Sequence, residues 1–568
     1  MKKTLSLLLA VLMLLAVMTG CGTTASKSNS AQGTDAPASK APAASSASQS
    51  EPDKSGNTDA PVAEGLPICE ETTDFSVFME MSPQASFYVE SYDDTPTWKY
   101  LESLTNVHLD WQTVADNTME KFNIMIASEP CDLMIRANMY YTGGVAGGID
   151  EGVFMDLTDV VEQYMPTYNG LISKDKETKA LASLSDGRIG AIWLLLNEPA
   201  EPNWGPIVRA DWLDKIGMNA DDIITYDDYY DMLTAFKVEC GASSPLLMNA
   251  FCAPSSGSLV AGYGVYGYGN PEMGQAPFYV VDGQIKYGYM EDGFYEYLQM
   301  LHKWYAEGLF NSDFATNTNV FQIAPDDVTT GDHGLWYHMA QIMDEHMSLA
   351  TDPEFRSCPI RDAVKKDGDT LHFADYTNAV ITGMSTNACV SAECENVDIL
   401  AKWMDFLYTE QGSLIVSFGI EGETYDYGED GKPHFTDKIL NNPDYGTTVA
   451  ANLFAIDSFI GLQYNYRYTD GYSEVARSAG SLWLDNVDTS DLWSLPGCVS
   501  MSAEDALAYS AKYNDIATFG TESVAKFVTG ETELTDDNWK AFTDKLESMG
   551  IQECIGYWQN AYDAFYSE

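Results

Sequence analysis

Val208-Arg-Ala-Asp-Trp-Leu-Asp-Lys-Ile-Gly217 and Thr225-Tyr-Asp-Asp-Tyr-Tyr-Asp-Met-Leu-Thr-Ala-Phe-Lys237 stand near the middle of a 568-residue chain. The first reads as a short helix stopped by glycine. The second reads as a helix whose amino end is capped by the Thr225 hydroxyl. Upstream, Asp74-Phe-Ser-Val-Phe-Met79 and Val107-His-Leu-Asp-Trp111 have strand patterning, and Asp132-Leu-Met-Ile135 reads as a third, buried strand. Between them, Thr95 to Thr105 reads as a helix with Pro96 at its first position, and Lys121 to Ser128 as another. Downstream, Met300-Leu-His-Lys-Trp-Tyr-Ala-Glu-Gly-Leu-Phe310 is a helix ending at Gly308. Ala388-Cys to Glu410-Gln-Gly-Ser reads as a helix leading into Ile415-Val-Ser-Phe-Gly-Ile-Glu-Gly-Glu-Thr-Tyr425. Strands alternating with helices predict an α/β fold with a mostly parallel sheet, whose ligand contacts lie at the carboxyl ends of the strands.

The amino-terminal text is of a different kind. Lys2 and Lys3 precede Leu5 to Val17, an apolar run broken only by Ser6. At about 1.5 Å per residue such a helix spans roughly 20 Å, short of a hydrocarbon core of about 30 Å, so residues 1–20 read as a signal peptide. Met18-Thr19-Gly20-Cys21 resembles the bacterial lipobox, which implies lipidation of Cys21. Residues 21–66 read as the lipid anchor followed by a tether of Ser, Ala, Thr, Pro, Gly and Asp. This stretch has almost no large apolar residue with which to form a core. The expected location is extracytoplasmic, anchored to the bacterial membrane through that lipid.

Composition narrows the function. With 85 Asp+Glu against 30 Lys+Arg and a net charge of -55, the chain has no means of neutralising a phosphate backbone, which excludes nucleic acid as a partner. Ten cysteines do not imply a disulfide framework. Removing Cys21 leaves nine with no CxxC pair, expected to be mostly buried small hydrophobes with at most one or two bridges.

The capped helices, the helix ending at Gly308, the Ala388 to Tyr425 text and the closing Gly550-Ile-Gln-Glu-Cys-Ile-Gly-Tyr-Trp-Gln-Asn-Ala-Tyr occur in one order behind a lipobox and tether. Together they closely resemble the extracellular solute-binding proteins of bacterial ABC importers, in particular the lipoprotein branch of the family-1, sugar-type binding proteins. The resemblance implies a two-lobed, type II periplasmic-binding-protein-like fold that closes over its ligand by hinge motion. Lobe one is expected at 67–197 plus 356–425, and lobe two at 198–355 plus 426–568. It further implies a monomeric receptor that captures a carbohydrate, an oligosaccharide by preference, and delivers it to ABC permease subunits. A secreted glycan-active enzyme and a ligand sensor for a membrane signalling partner are the alternatives.

Sugars present C–H faces to aromatic rings and hydroxyls to amides, carboxylates and guanidinium groups. By the resemblance, Arg136, Asn138 and Tyr140, just after the third strand, line the cleft. Trp193 and Trp204 flank the first crossing between lobes. In Gly331-Asp-His-Gly-Leu-Trp-Tyr-His338 the alternation of a strand should aim one of Trp336 and Tyr337 at the ligand. Tyr376 and Asn378 precede an expected strand, Ala379-Val-Ile-Thr382, and reach the cleft from lobe one.

Catalytic motifs do not appear. Gly383-Met-Ser-Thr-Asn387 breaks the nucleophile-elbow pattern at its second glycine. Gly262-Tyr-Gly-Val-Tyr-Gly-Tyr-Gly269 is a glycine-tyrosine loop rather than a phosphate cradle, and His333 and His338 lack the spacing of helical zinc ligands. Acidic pairs are too many for any one to nominate a glycosidase. Neither catalytic residues, nor a cofactor, nor a metal is expected.

Overall fold

The computed structural model describes residues 65–567 except 82–84, 249–258, 267–275, 317–322, 324, 375, 377–378, 383–384 and 457–458. The expected signal peptide, Cys21 and nearly all of the tether therefore lie outside the described residues. Fourteen strands are described: β1 Thr73–Glu80, β2 Val107–Val114, β3 Leu133–Ile135, β4 Ile192–Leu196, β5 Trp204–Arg209, β6 Leu246–Leu247, β7 Phe278–Val281, β8 Gln284–Tyr287, β9 Leu335–Met339, β10 Ser357–Pro359, β11 Asn387–Val390, β12 Tyr425–Tyr427, β13 Pro433–Phe435 and β14 Gly461–Gln463.

Two sheets organise them. The first has the order β14-β4-β11-β3-β1-β2. β1 runs parallel to both β2 and β3, β14 runs parallel to β4, and β11 is antiparallel to both of its neighbours. The side-chain alternation of a strand sorts this sheet into two buried faces. Phe75, Val77 and Met79 join Leu133 and Ile135 in the larger core, whereas Phe78 and Met134 pack with Phe122 on the other face. Such double coverage is what buries every residue of β3 and makes it read as a continuous apolar run. The second sheet, β10-β5-β9-β6, is built the same way. Val208, Leu335 and Tyr337 face one core, and Ile207 and Trp336 face another.

Local signals behave as their chemistry requires. Thr225 and Asp228 form a reciprocal capping box, and Gly217 ends its helix at φ +72°. One helix reading fails. Ala388 to Val390 is not helical but belongs to β11, and two helices, Val397–Phe406 and Glu410–Phe418, follow it. The expected strand Ala379–Thr382 is also absent. There the chain turns, with Ser385 N donating to Thr382 O at 2.9 Å.

The sheets correct the expected lobe boundaries. β10 pairs with β5, so 357–359 belongs to the second sheet rather than to a 356–425 piece of lobe one. β14 pairs with β4, so the chain returns to the first sheet at 461–463, inside the expected 426–568 piece of lobe two. Backbone pairing decides membership here because each three-residue strand has its hydrogen bonds in one sheet only.

The chain crosses between the sheets along 197–203, then ahead of β11, then after β14. The crossings are lashed side by side: Leu196 N donates to Val380 O at 2.9 Å and Asn197 N to Gln463 O at 2.9 Å. Asn465 N donates to Asn197 Oδ1 at 2.9 Å, and Asn465 Nδ2 to Pro199 O at 3.1 Å. Away from these crossings, the end of the carboxyl-terminal helix Ile551–Tyr566 touches the first lobe. Lys176 Nζ donates to Phe565 O and sits 4.5 Å from the centre of its ring, and Tyr566 OH donates to Glu177 Oε1 at 3.3 Å.

Candidate functional site

Because β1 and β3 are parallel, Glu80 and Arg136 emerge at the same end of the first sheet. Glu80 is held by two hydroxyls. Thr118 Oγ1 donates to Glu80 Oε1 at 2.8 Å, and Tyr140 OH donates to Glu80 Oε2 at 2.8 Å. Thr118 opens the helix Thr118–Ser128, and Tyr140 ends the helical turn Ala137–Tyr140, so three successive connections of one sheet end meet at this carboxylate. Burial, and then the bond to Glu80, push the Tyr140 hydroxyl well above its ordinary pKa, which keeps it a protonated donor. Its ring leans on Phe122 at 5.6 Å. A surface hollow continues outward from Thr118, lined also by Asn117, Met119, Glu120, Asn123 and Ile124.

Arg136 has φ +58° and donates its N–H to Asn387 O at 2.7 Å. A left-handed non-glycine residue costs on the order of 1–3 kcal/mol, and such strain gathers at ligand sites. Asn138 is exposed. All three expected residues after β3 thus stand at the carboxyl end of that strand.

Trp193 and Trp204 sit on opposite sides of the first crossing. Trp193 is half-buried, and its backbone is gripped by two buried tyrosines: its N–H donates to Tyr168 OH at 3.2 Å, and Tyr408 OH donates to its carbonyl at 2.5 Å. Trp204 is buried and stacks on His338 with ring centres 4.8 Å apart. Beside it, Asn203 Nδ2 and Tyr472 OH both donate to Gln341 Oε1, at 3.2 and 3.0 Å.

The expectation that Trp336 or Tyr337 faces the ligand fails. Trp336 is fully buried in a cluster with Ile207, Met343 and Trp483, and Tyr337 lies in the main core of the second lobe. Alternation does send the two rings to opposite faces, but both faces of this sheet are covered. Tyr376 is half-buried, and Asn378 lies outside the described residues. Sequence reading missed Glu80, Thr118, Asn203 and Gln341. For Glu80 the available signal was an acid directly after the apolar run Val77-Phe78-Met79.

Among the described residues no three His, Cys, Asp or Glu side chains are grouped to hold a metal. His333 instead has its Nδ1 at 2.5 Å from Ser244 O. The eight described cysteines are free, five of them buried. Burial holds Cys389 near a pKa of about 12, which makes it inert packing rather than a nucleophile.

No protein-family model matches the chain. It is similar to the fructooligosaccharide ABC transporter substrate-binding protein FusA of Streptococcus pneumoniae serotype 4, with 27% identity over 146 residues, 24% of this chain and 26% of that protein. It is also similar to lipoprotein LipO of Bacillus subtilis strain 168, with 24% identity over 346 residues, 59% of this chain and 64% of that one. The matches thus span about a quarter and under two thirds of the curated relatives' lengths. Among solved structures, an HMO-binding, ABC-transporter-associated solute-binding protein from Bifidobacterium longum infantis superposes with a TM-score of 0.65 at 18% identity, covering 88% of this chain and all of that one. The chain has the two-lobed α/β fold of these solute-binding proteins.

Proposed function

We propose, on the premise that the chain belongs with the extracellular solute-binding proteins of ABC importers, that it captures an oligosaccharide between its lobes and delivers it to a membrane permease. The observation that carries this reading is the lashing of three crossings beside a sheet end that gathers Glu80, Arg136, Tyr140 and Trp193. Segments lashed side by side between two sheets form a hinge. Rotation about them alters the distance between residues on either side without breaking either core. Arg136, Asn138, Tyr140 and Trp193 contribute from the first lobe, with Tyr376 on the returning crossing, while Trp204, buried against His338, packs the start of the second lobe rather than facing the ligand. The half-buried indole and phenol offer stacking faces, while Arg136, Asn138 and Glu80 offer polar partners to sugar hydroxyls. The body is held at the membrane by lipid on Cys21 and works as a monomer.

A thermal-shift screen of the purified protein against neutral oligosaccharides, including fructo-oligosaccharides and milk oligosaccharides, tests this. Stabilisation without product release is expected, and Trp193→Ala should weaken it at least tenfold. New reducing ends would replace the receptor reading with a glycan-active enzyme. Labelled fatty acid should enter the wild type but not Cys21→Ala, whose protein should be shed from the membrane.

A further inference from the structure

The protons around Glu80 carry a statement about ligand class that goes beyond carbohydrate capture, although it rests on that reading. Each hydroxyl has one proton to give. Those of Thr118 and Tyr140 are both committed to Glu80, at 2.8 Å each. Toward a ligand these two side chains therefore present lone pairs only, and the carboxylate itself keeps about half of its roughly four acceptor positions. The hollow that continues from Thr118 adds an acid, Glu120, and no cation. Among the described residues two cations stand at this sheet end: Lys121, whose Nζ donates to Asp116 Oδ1, and Arg136, which follows β3 beside the strand β1 that ends in Glu80.

We infer that this wall selects neutral, hydroxyl-bearing glycans over uronates, and that Glu80 is the residue that decides between them. A sugar hydroxyl donates into the acceptor cluster. A ring carboxylate has no proton to donate and meets a charge of its own sign. With Glu80 ionised, Arg136 presents little net attraction to an anion. With Glu80 made neutral, the guanidinium is left uncompensated and the same wall becomes anion-accepting.

Isothermal titration against matched trisaccharide pairs, mannotriose with trimannuronate and galactotriose with trigalacturonate, tests the assignment on the wild type, Glu80→Gln and Tyr140→Phe. The wild type should prefer the neutral member of any pair it binds. Glu80→Gln should shift the neutral-to-uronate affinity ratio at least tenfold toward the uronate. Tyr140→Phe keeps the site's charge, so it should weaken the neutral ligand without admitting the uronate, which separates loss of charge from loss of packing. Circular dichroism of each variant guards against misfolding. A ratio that Glu80→Gln leaves unchanged, or a wild type that prefers the uronate, overturns this inference and leaves the receptor reading standing. A wild type that binds no glycan of any kind, in this set or in the wider screen, overturns both.

Discussion

Gly205 lies in β5 two residues past the first crossing, and the place of its missing side chain is occupied by an indole. A Cβ built there would fall 2.4 Å from Cε2, 2.5 Å from Cδ2 and 2.6 Å from Nε1 of Trp483. Carbon contacts are comfortable at about 3.5–4.0 Å, so the ring would have to retreat by roughly 1 Å. It has nowhere to go, being 1% exposed and packed with Ile207, Trp336 and Ala479. Gly205→Ala should therefore destabilise the second lobe by roughly 1–3 kcal/mol, the usual range for overpacking a filled core. Trp483→Phe alone leaves a void and costs on the order of 2 kcal/mol. The double variant should cost less than the sum of the two by about 1 kcal/mol or more, because the smaller ring makes room for the methyl group. Urea unfolding followed by circular dichroism reads all four corners of the cycle. Additive costs, or a Gly205→Ala variant as stable as the wild type, would refute the steric argument.

Tyr408→Phe keeps the ring but strips the donor from the Trp193 carbonyl, so a loss of about 1–3 kcal/mol in urea unfolding is expected, and an unchanged midpoint would mean that the bond contributes nothing. His346 is fully buried against Trp336, and burial holds its pKa down to about 4. The unfolded chain thus binds a proton near pH 6.5 that the folded protein refuses. This stability is present above about pH 6.5 and lost as the pH falls toward 4, by about 3 kcal/mol in full. His346→Gln should flatten that part of the pH-stability profile, and an equally steep fall in the variant would count against the assignment. Deleting residues 565–568 removes both contacts of the carboxyl terminus with the first lobe, and amide exchange across Lys176–Ala182 should accelerate. Unaltered exchange there would show the contact to be idle.

The fold was legible wherever a single residue carries its own geometry. Pro96 at a helix start, the Thr225 cap and the Gly217 stop all work through local backbone chemistry and need no tertiary partner. Short buried strands were not. Asn387–Val390 is buried at all four positions, so it shows no alternation, and its run into Val397–Phe406 reads as one helix. Three-residue strands such as β10 and β14 carry too little pattern to announce which sheet they join, and the lobe boundaries shifted with them. The resemblance named Arg136, Asn138 and Tyr140 as residues just after the third strand, and the structure places them at the carboxyl end of β3. The role of Trp336 and Tyr337 could not be read, since alternation tells which faces two residues take but not whether a helix covers both. Glu80 escaped notice because its significance lies in Thr118 and Tyr140, 38 and 60 residues away.

The strand order also bears on how the protein is made. β14 is the edge strand of the first sheet and shields β4, whose Leu194-Leu195-Leu196 pairs with Gly461-Leu462-Gln463. In a nascent chain that ends anywhere before residue 461, this leucine run is an uncovered, apolar sheet edge, open to pairing with another molecule. The second lobe is no earlier, because its core includes Phe542, Leu546, Ile551 and Cys554. The first sheet can close once residue 463 is available, whereas the second core waits for residues 542–554. A chain that stops before residue 461 should therefore aggregate through this open edge, and one that stops between 463 and 542 should leave the second core unfinished.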